Sequence, residues 1–177
     1  MKYLLVCVFF VCFVCGCAGA IQPYILYSDA GVSPEDIVVL TSKNNAEVKE
    51  LVCQKIGSSA GQLISMAVVK SVDGETGDST LPYMGQVFNS GFNCQFEIQL
   101  MPGKHQLVVL PNCYLASGRD SVPMTINALA GHHYFIGNIL EILQVPSLGV
   151  RGKYRWRPFI VDMTTNEMVS LYPFISH

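Results

Sequence analysis

The sequence predicts an all-β domain, a single antiparallel β-sandwich, carried behind an export signal. Three observations lead there. Turn-forming groups recur along the chain from Ser33-Pro34 to Thr165-Asn166, among them Asp73-Gly74, Pro102-Gly103, Ser117-Gly118 and Ala130-Gly131. The runs between them are short and rich in Val, Ile, Leu, Phe and Tyr, the pattern of sandwich strands. The chain is also 50% hydrophobic and only 14% charged, with a mean hydropathy of +0.36, which excludes a disordered protein. Its 177 residues suit one domain plus a targeting segment. A formal charge of −2 supplies no overall attraction to nucleic acid, and none is expected as a partner.

Residues 1–16 read as a lipoprotein signal peptide. Lys2 precedes an apolar stretch from Leu4 to Val14, too short to cross a bilayer as a permanent helix. Val14-Cys15-Gly16-Cys17 resembles a lipobox, which makes Cys17 the first mature residue and the site of lipidation. Two or three acyl chains would anchor it stably, because each buried methylene contributes about 0.8 kcal/mol. Ala18 rather than Asp after the cysteine directs the protein to the outer membrane under enteric-type sorting. Ala18-Gly19-Ala20 offers a competing cleavage site, which would release a secreted or periplasmic chain. Residues 17–23 then form the lipidated tether, and 24–177 the folded domain.

Within that domain, strand-like runs occupy 37–41, 63–72, 85–88, 94–100, 106–110, 122–129, 134–142, 154–161 and 168–171. Segment 46–56 sets Val48, Leu51, Val52 and Ile56 near helical spacing, yet 48–53 would also suit a strand. A short helix there is one of two open outcomes. In 94–100, Cys94, Phe96, Ile98 and Leu100 alternate with Gln95, Glu97 and Gln99, giving one apolar face. A hairpin loop from Pro102 to His105 would pair Leu100 with Leu107, Ile98 with Val109 and Cys94 with Cys113. In an oxidising compartment that register favours a Cys94–Cys113 disulfide, with Cys53 then a buried free thiol unless it lies beside one of the pair; three reduced cysteines in the core are the competing outcome.

Leu100-Met101-Pro102-Gly103-Lys104-His105 leads into a strand, Val72-Asp73-Gly74 precedes the middle strands, and Ala130-Gly131-His132-His133-Tyr134 opens a late one. With the closing stretch from Trp156 to Asn166, these elements resemble small bacterial lipoproteins with a PEGA-like β-sandwich domain. The resemblance implies an Ig-like or PEGA-like sandwich in the cell envelope. It carries over no catalytic residue, and Asn166 stands where the family usually has Gly.

Gly57-Ser58-Ser59-Ala60-Gly61 matches the nucleophile-elbow pattern, with Ser59 as nucleophile and Asp120 or Asp162 and His132, His133 or His177 as partners. The run at 63–72 reads as a strand where that pattern needs a helix, so a plain Gly/Ser loop is expected. His132 and His133 are adjacent and would point to opposite faces of a strand. With no metal-ligand spacing around them, neither a metal nor a cofactor is expected. Arg151, Lys153, Arg155 and Arg157 alternate with Tyr154 and Trp156, which sets four cations on one ridge. The ridge is a candidate site for phosphate, anionic glycan or lipid headgroups, or else a solvated outer face. The expected function is therefore that of a non-enzymatic envelope lipoprotein acting as a binding or scaffolding module. Its partners would be the membrane, through lipid on Cys17, and an anionic envelope component or envelope protein. A small secreted serine hydrolase using Ser59 and a soluble exported binding protein are the rivals.

Overall fold

Alternating apolar residues build two sheets in the computed structural model, which describes residues 22–27, 31–43, 46–56, 62–81, 85–89, 95–111, 121–145 and 153–176. The chain opens with β1 (Tyr24–Ile25), β2 (Val38–Thr41), helix α1 (Ala46–Ile56), β3 (Gln62–Met66), β4 (Val68–Val72) and β5 (Glu75–Thr76). There follow β6 (Ser79–Leu81), β7 (Gly85–Val87), β8 (Glu97–Leu100) and β9 (Gly103–Leu110). The last strands are β10 (Val122–Ala128), β11 (His133–Gln144), β12 (Lys153–Asp162), β13 (Glu167–Leu171) and β14 (Ile175–Ser176).

The larger sheet runs β1-β8-β2-β11-β12-β13, with β3 also pairing β11 and β14 also pairing β12. The smaller runs β10-β9-β4-β5, and β6 pairs β7 separately. The pairing is antiparallel except for β1 with β8 and β2 with β11, which are parallel. Leu40, Ile98, Leu100, Tyr134, Ile136, Trp156 and Ile160 meet Val69, Val72, Leu107, Val109, Met124 and Ile126 in the core between the sheets. This is the all-β sandwich.

Segment 46–56 is a helix. Val48, Leu51 and Val52, at i, i+3 and i+4, share one face and pack on Phe135, Ile139, Phe159 and Val161 of the larger sheet. The middle of β11 is therefore covered from both sides, and every residue from 134 to 140 is buried. Its near-continuous apolar run has this cause. Gly137 sits beneath the helix layer, where a Cβ would stand 2.5 Å from both Phe135 Cε1 and Phe159 Cζ. Cys53, on the helix, is exposed, which corrects the expectation of a buried thiol.

Two further corrections concern pairing. β8 and β9 do not form a hairpin: β8 pairs β1 and β2, whereas β9 pairs β10 and β4. Pro102 and Gly103, the latter at φ 142°, carry the chain from one sheet to the other. Ile98 and Leu100 thus share the core with Leu107 and Val109 from opposite layers. Alternation identifies the buried face but not the partner strand, and both arrangements bury the same side chains. Cys94 and Cys113 lie outside the described residues, and the register that would oppose them does not form. The run at 63–72 likewise divides at Ala67, with β3 on β11 and β4 on β9. Asp73-Gly74 does form a two-residue hairpin turn, with both φ values positive at 51° and 89°.

Candidate binding surface

Along β12, Trp156 and Ile160 point into the sandwich, while Phe159 and Val161 point outward beneath α1. Alternation places Lys153, Arg155 and Arg157 on that outer face. Arg151 lies outside the described residues. The three cations have different surroundings. Lys153 is exposed. Arg155 Nε donates to Glu141 Oε2 at 2.6 Å, from the residue directly opposite on β11. Arg157 stands opposite Ile139, and its Nε is buried without a hydrogen-bond partner among the described residues. Burial pushes the Arg157 guanidinium below its ordinary pKa. Phe174 lies over both guanidiniums, with its ring centre 4.4 Å from Arg155 Cζ and 4.9 Å from Arg157 Cζ. The ridge is partly covered by an aromatic ring rather than fully solvated.

Beside it, α1 and β13 border an open groove of about 720 Å³. Leu51 and Lys55 line one side; Met168, Val169 and Leu171 contribute apolar surface on the other. β13 is the last strand of the larger sheet, and no other strand pairs with its outer edge among the described residues. A register irregularity opposite Ile160 and Val161 leaves Val169 as the extra residue, 44% exposed.

The candidate acid–base residues brace turns. His132 Nδ1 lies 2.6 Å from Asp162 Oδ2, while Oδ1 accepts from the Thr164 and Thr165 amides at 2.9 and 3.3 Å. Burial alone would raise the Asp162 pKa, but His132 and the two amides hold it below the ordinary carboxylate value. The His132 ring stacks on Tyr134, whose hydroxyl accepts from the Leu129 amide at 3.0 Å. His133 is exposed, and its amide donates to Thr164 Oγ1. Ser59, Asp120 and His177 lie outside the described residues. Among the described residues no group of three or more His, Cys, Asp or Glu could hold a metal ion.

Sequence reasoning missed a second pair. His105 Nδ1 lies 2.6 Å from Asp73 Oδ2 and its Nε2 lies 2.8 Å from the Met101 carbonyl. Asp73 Oδ1 also accepts from the Gln106 amide at 2.8 Å. Against the raising effect of burial, that amide and His105 keep Asp73 below its ordinary pKa. The Asp73-Gly74 turn and Lys104-His105 were each visible in the sequence, but nothing joined them. No known protein family, curated protein or solved structure matches this chain.

Proposed function

We propose that the protein is a non-enzymatic module of the cell envelope, tethered by acyl chains on Cys17, that binds or scaffolds an envelope component. The observation that carries this reading is the open groove between α1 and β13, beside a strand edge that no other described strand covers. Such an edge offers amide and carbonyl groups to an extended polypeptide, and the flanking groove can accommodate its side chains. Support also comes from the His–Asp pairs, which are spent on holding turns. The resemblance to PEGA-like lipoproteins adds the compartment.

The intact mass of the protein from a membrane fraction tests the tether. A chain beginning at Cys17 with two or three acyl groups is expected; one beginning at Ile21 would overturn the anchor. A fluorophosphonate probe tests the absence of catalysis and should leave the protein unlabelled. Labelling abolished by Ser59→Ala would establish the hydrolase instead.

A further inference from the structure

An aspartate followed by glycine is a chemically labile link in a main chain. Glycine has no side chain to shield its amide nitrogen, so that nitrogen can close a succinimide ring on the carboxyl carbon before it. At Asp73-Gly74 nothing bulky stands in the way. The Asp73 side chain is 48% exposed. Among the described residues, no atom beyond the chain neighbours of Gly74 lies within 4 Å of its Cβ position. Burial therefore does not protect this link, and its protection depends on where the carboxylate is held.

Two contacts to β9 hold it. Val72 pairs Leu107, so Asp73 follows opposite Gln106, and its amide donates to the Gln106 carbonyl at 2.8 Å. In a regular antiparallel pair the return bond would run from the Gln106 amide to the Asp73 carbonyl. Here Asp73 Oδ1 accepts it instead, at 2.8 Å. The main chain turns away at Asp73, and the side chain takes its place in the ladder. Oδ2 lies 2.6 Å from His105 Nδ1, while His105 Nε2 lies 2.8 Å from the Met101 carbonyl. The imidazole is thus fixed from both sides, its side chain only 13% exposed. Turning Asp73 Cγ toward the Gly74 nitrogen swings both carboxylate oxygens off these partners. Against the raising effect of burial, Asp73 also stays below its ordinary pKa, and an ionised carboxylate is the poorer electrophile.

We propose that Asp73-Gly74 is a latent isoaspartate site, kept closed by the Gln106 amide and His105. When those contacts open, the Gly74 nitrogen attacks Asp73 Cγ. The new N–C bond forms, and the carboxyl hydroxyl leaves with the amide proton as water. Water then adds to one of the two succinimide carbonyls. Opening on one side restores aspartate; opening on the other routes the main chain through the side-chain carbons and leaves isoaspartate. The longer main chain no longer offers Gln106 a donor and an acceptor in register. β5 then loosens on β4, and the Met101 carbonyl loses the tie through His105. The reaction needs only water and is independent of what the domain binds.

The test incubates the folded chain in heavy-oxygen water at neutral pH, beside a peptide of residues 70–77. Each passage through the succinimide leaves heavy oxygen at Asp73, read by mass spectrometry after digestion. The folded chain should take up label about a hundredfold more slowly than the peptide, the factor of two hydrogen bonds to a charged group. His105→Leu, which keeps bulk beside the core, and His105→Ala should each restore about tenfold of that rate. A cooperative melt above the incubation temperature certifies the fold of whichever is scored. Gly74→Asn, a residue that tolerates positive φ and shields the nitrogen, should suppress the labelling in the same background. Labelling of the folded chain at the peptide's rate would overturn the proposal, as would a folded His105 variant no faster than the parent. Label that persists after Gly74→Asn would place the reaction elsewhere and overturn it too.

Discussion

At Asp162 one carboxylate accepts from His132 and from the amides of Thr164 and Thr165, in a side chain only 5% exposed. Removing it strands three donors. Asp162→Ala should lower unfolding stability by about 3 kcal/mol, and Asp162→Asn, which keeps an acceptor, by less. Urea denaturation measures both. The same contacts set a pH dependence. Asp162 and Asp73 have folded-state pKa values below their ordinary 3.8. Their contribution is complete above that value and is lost as pH falls through the lower folded values. Stability should decline as pH falls below about 4, and Asp162→Asn should flatten the decline. Arg157 presents the opposite case, a partly buried cation over an aromatic ring that makes no ion pair among the described residues. Replacing a partly buried cation with an apolar side chain removes part of a desolvation cost. Arg157→Met should therefore leave the protein as stable or up to about 1 kcal/mol more so, after losing the Phe174 contact. A clear drop in the thermal midpoint would reveal a partner beyond Phe174.

Among the elements, Gly137 separates propensity from packing. Strand propensity alone would tolerate Ala there, yet a Cβ would stand 2.5 Å from two aromatic rings. Gly137→Ala should cost about 2 kcal/mol because Phe135 and Phe159 must shift under α1, a loss visible in calorimetry. The strand runs were legible because a half-buried strand writes its burial as alternation. In β10, Met124, Ile126 and Ala128 are buried while Pro123, Thr125 and Asn127 are exposed. Pairing was less legible. Leu100 and Leu107 share the same core whether their strands are neighbours or lie in opposite sheets, and nothing in the run at 63–72 marks Ala67 as the corner. The basic ridge was visible as a period of two. Its cover was not: Phe174 lies in a short connection between edge strands, and its contact with Arg155 and Arg157 arises from tertiary packing. The His105–Asp73 pair was hidden for the same reason, its members being 32 residues apart.

For the molecule as a whole, the two faces of the larger sheet are held by unequal partners. The inner face meets a second sheet through a broad core, whereas among the described residues α1 covers the outer face at Phe135, Ile139, Phe159 and Val161 through Val48, Leu51 and Val52. Local opening should follow that inequality, because a unit with few buried contacts separates at lower free energy than the core it rests on. Native-state hydrogen exchange should therefore release the amides of α1 before those of β11 and β12. Cys53, already exposed on α1, should react with a thiol reagent without unfolding the sandwich. Val52→Ala, at a side chain only 1% exposed, should accelerate helix exchange most and cost about 2 kcal/mol at a boundary able to relax. Helix motion bears directly on the groove, since Leu51 and Lys55 form its border opposite β13. A partner laid along β13 and touching those side chains would bind only the closed helix, and its presence should slow α1 exchange while leaving β9 and β10 unchanged. Exchange of α1 at the same rate as β11 would show one cooperative unit and remove the helix as an adjustable wall.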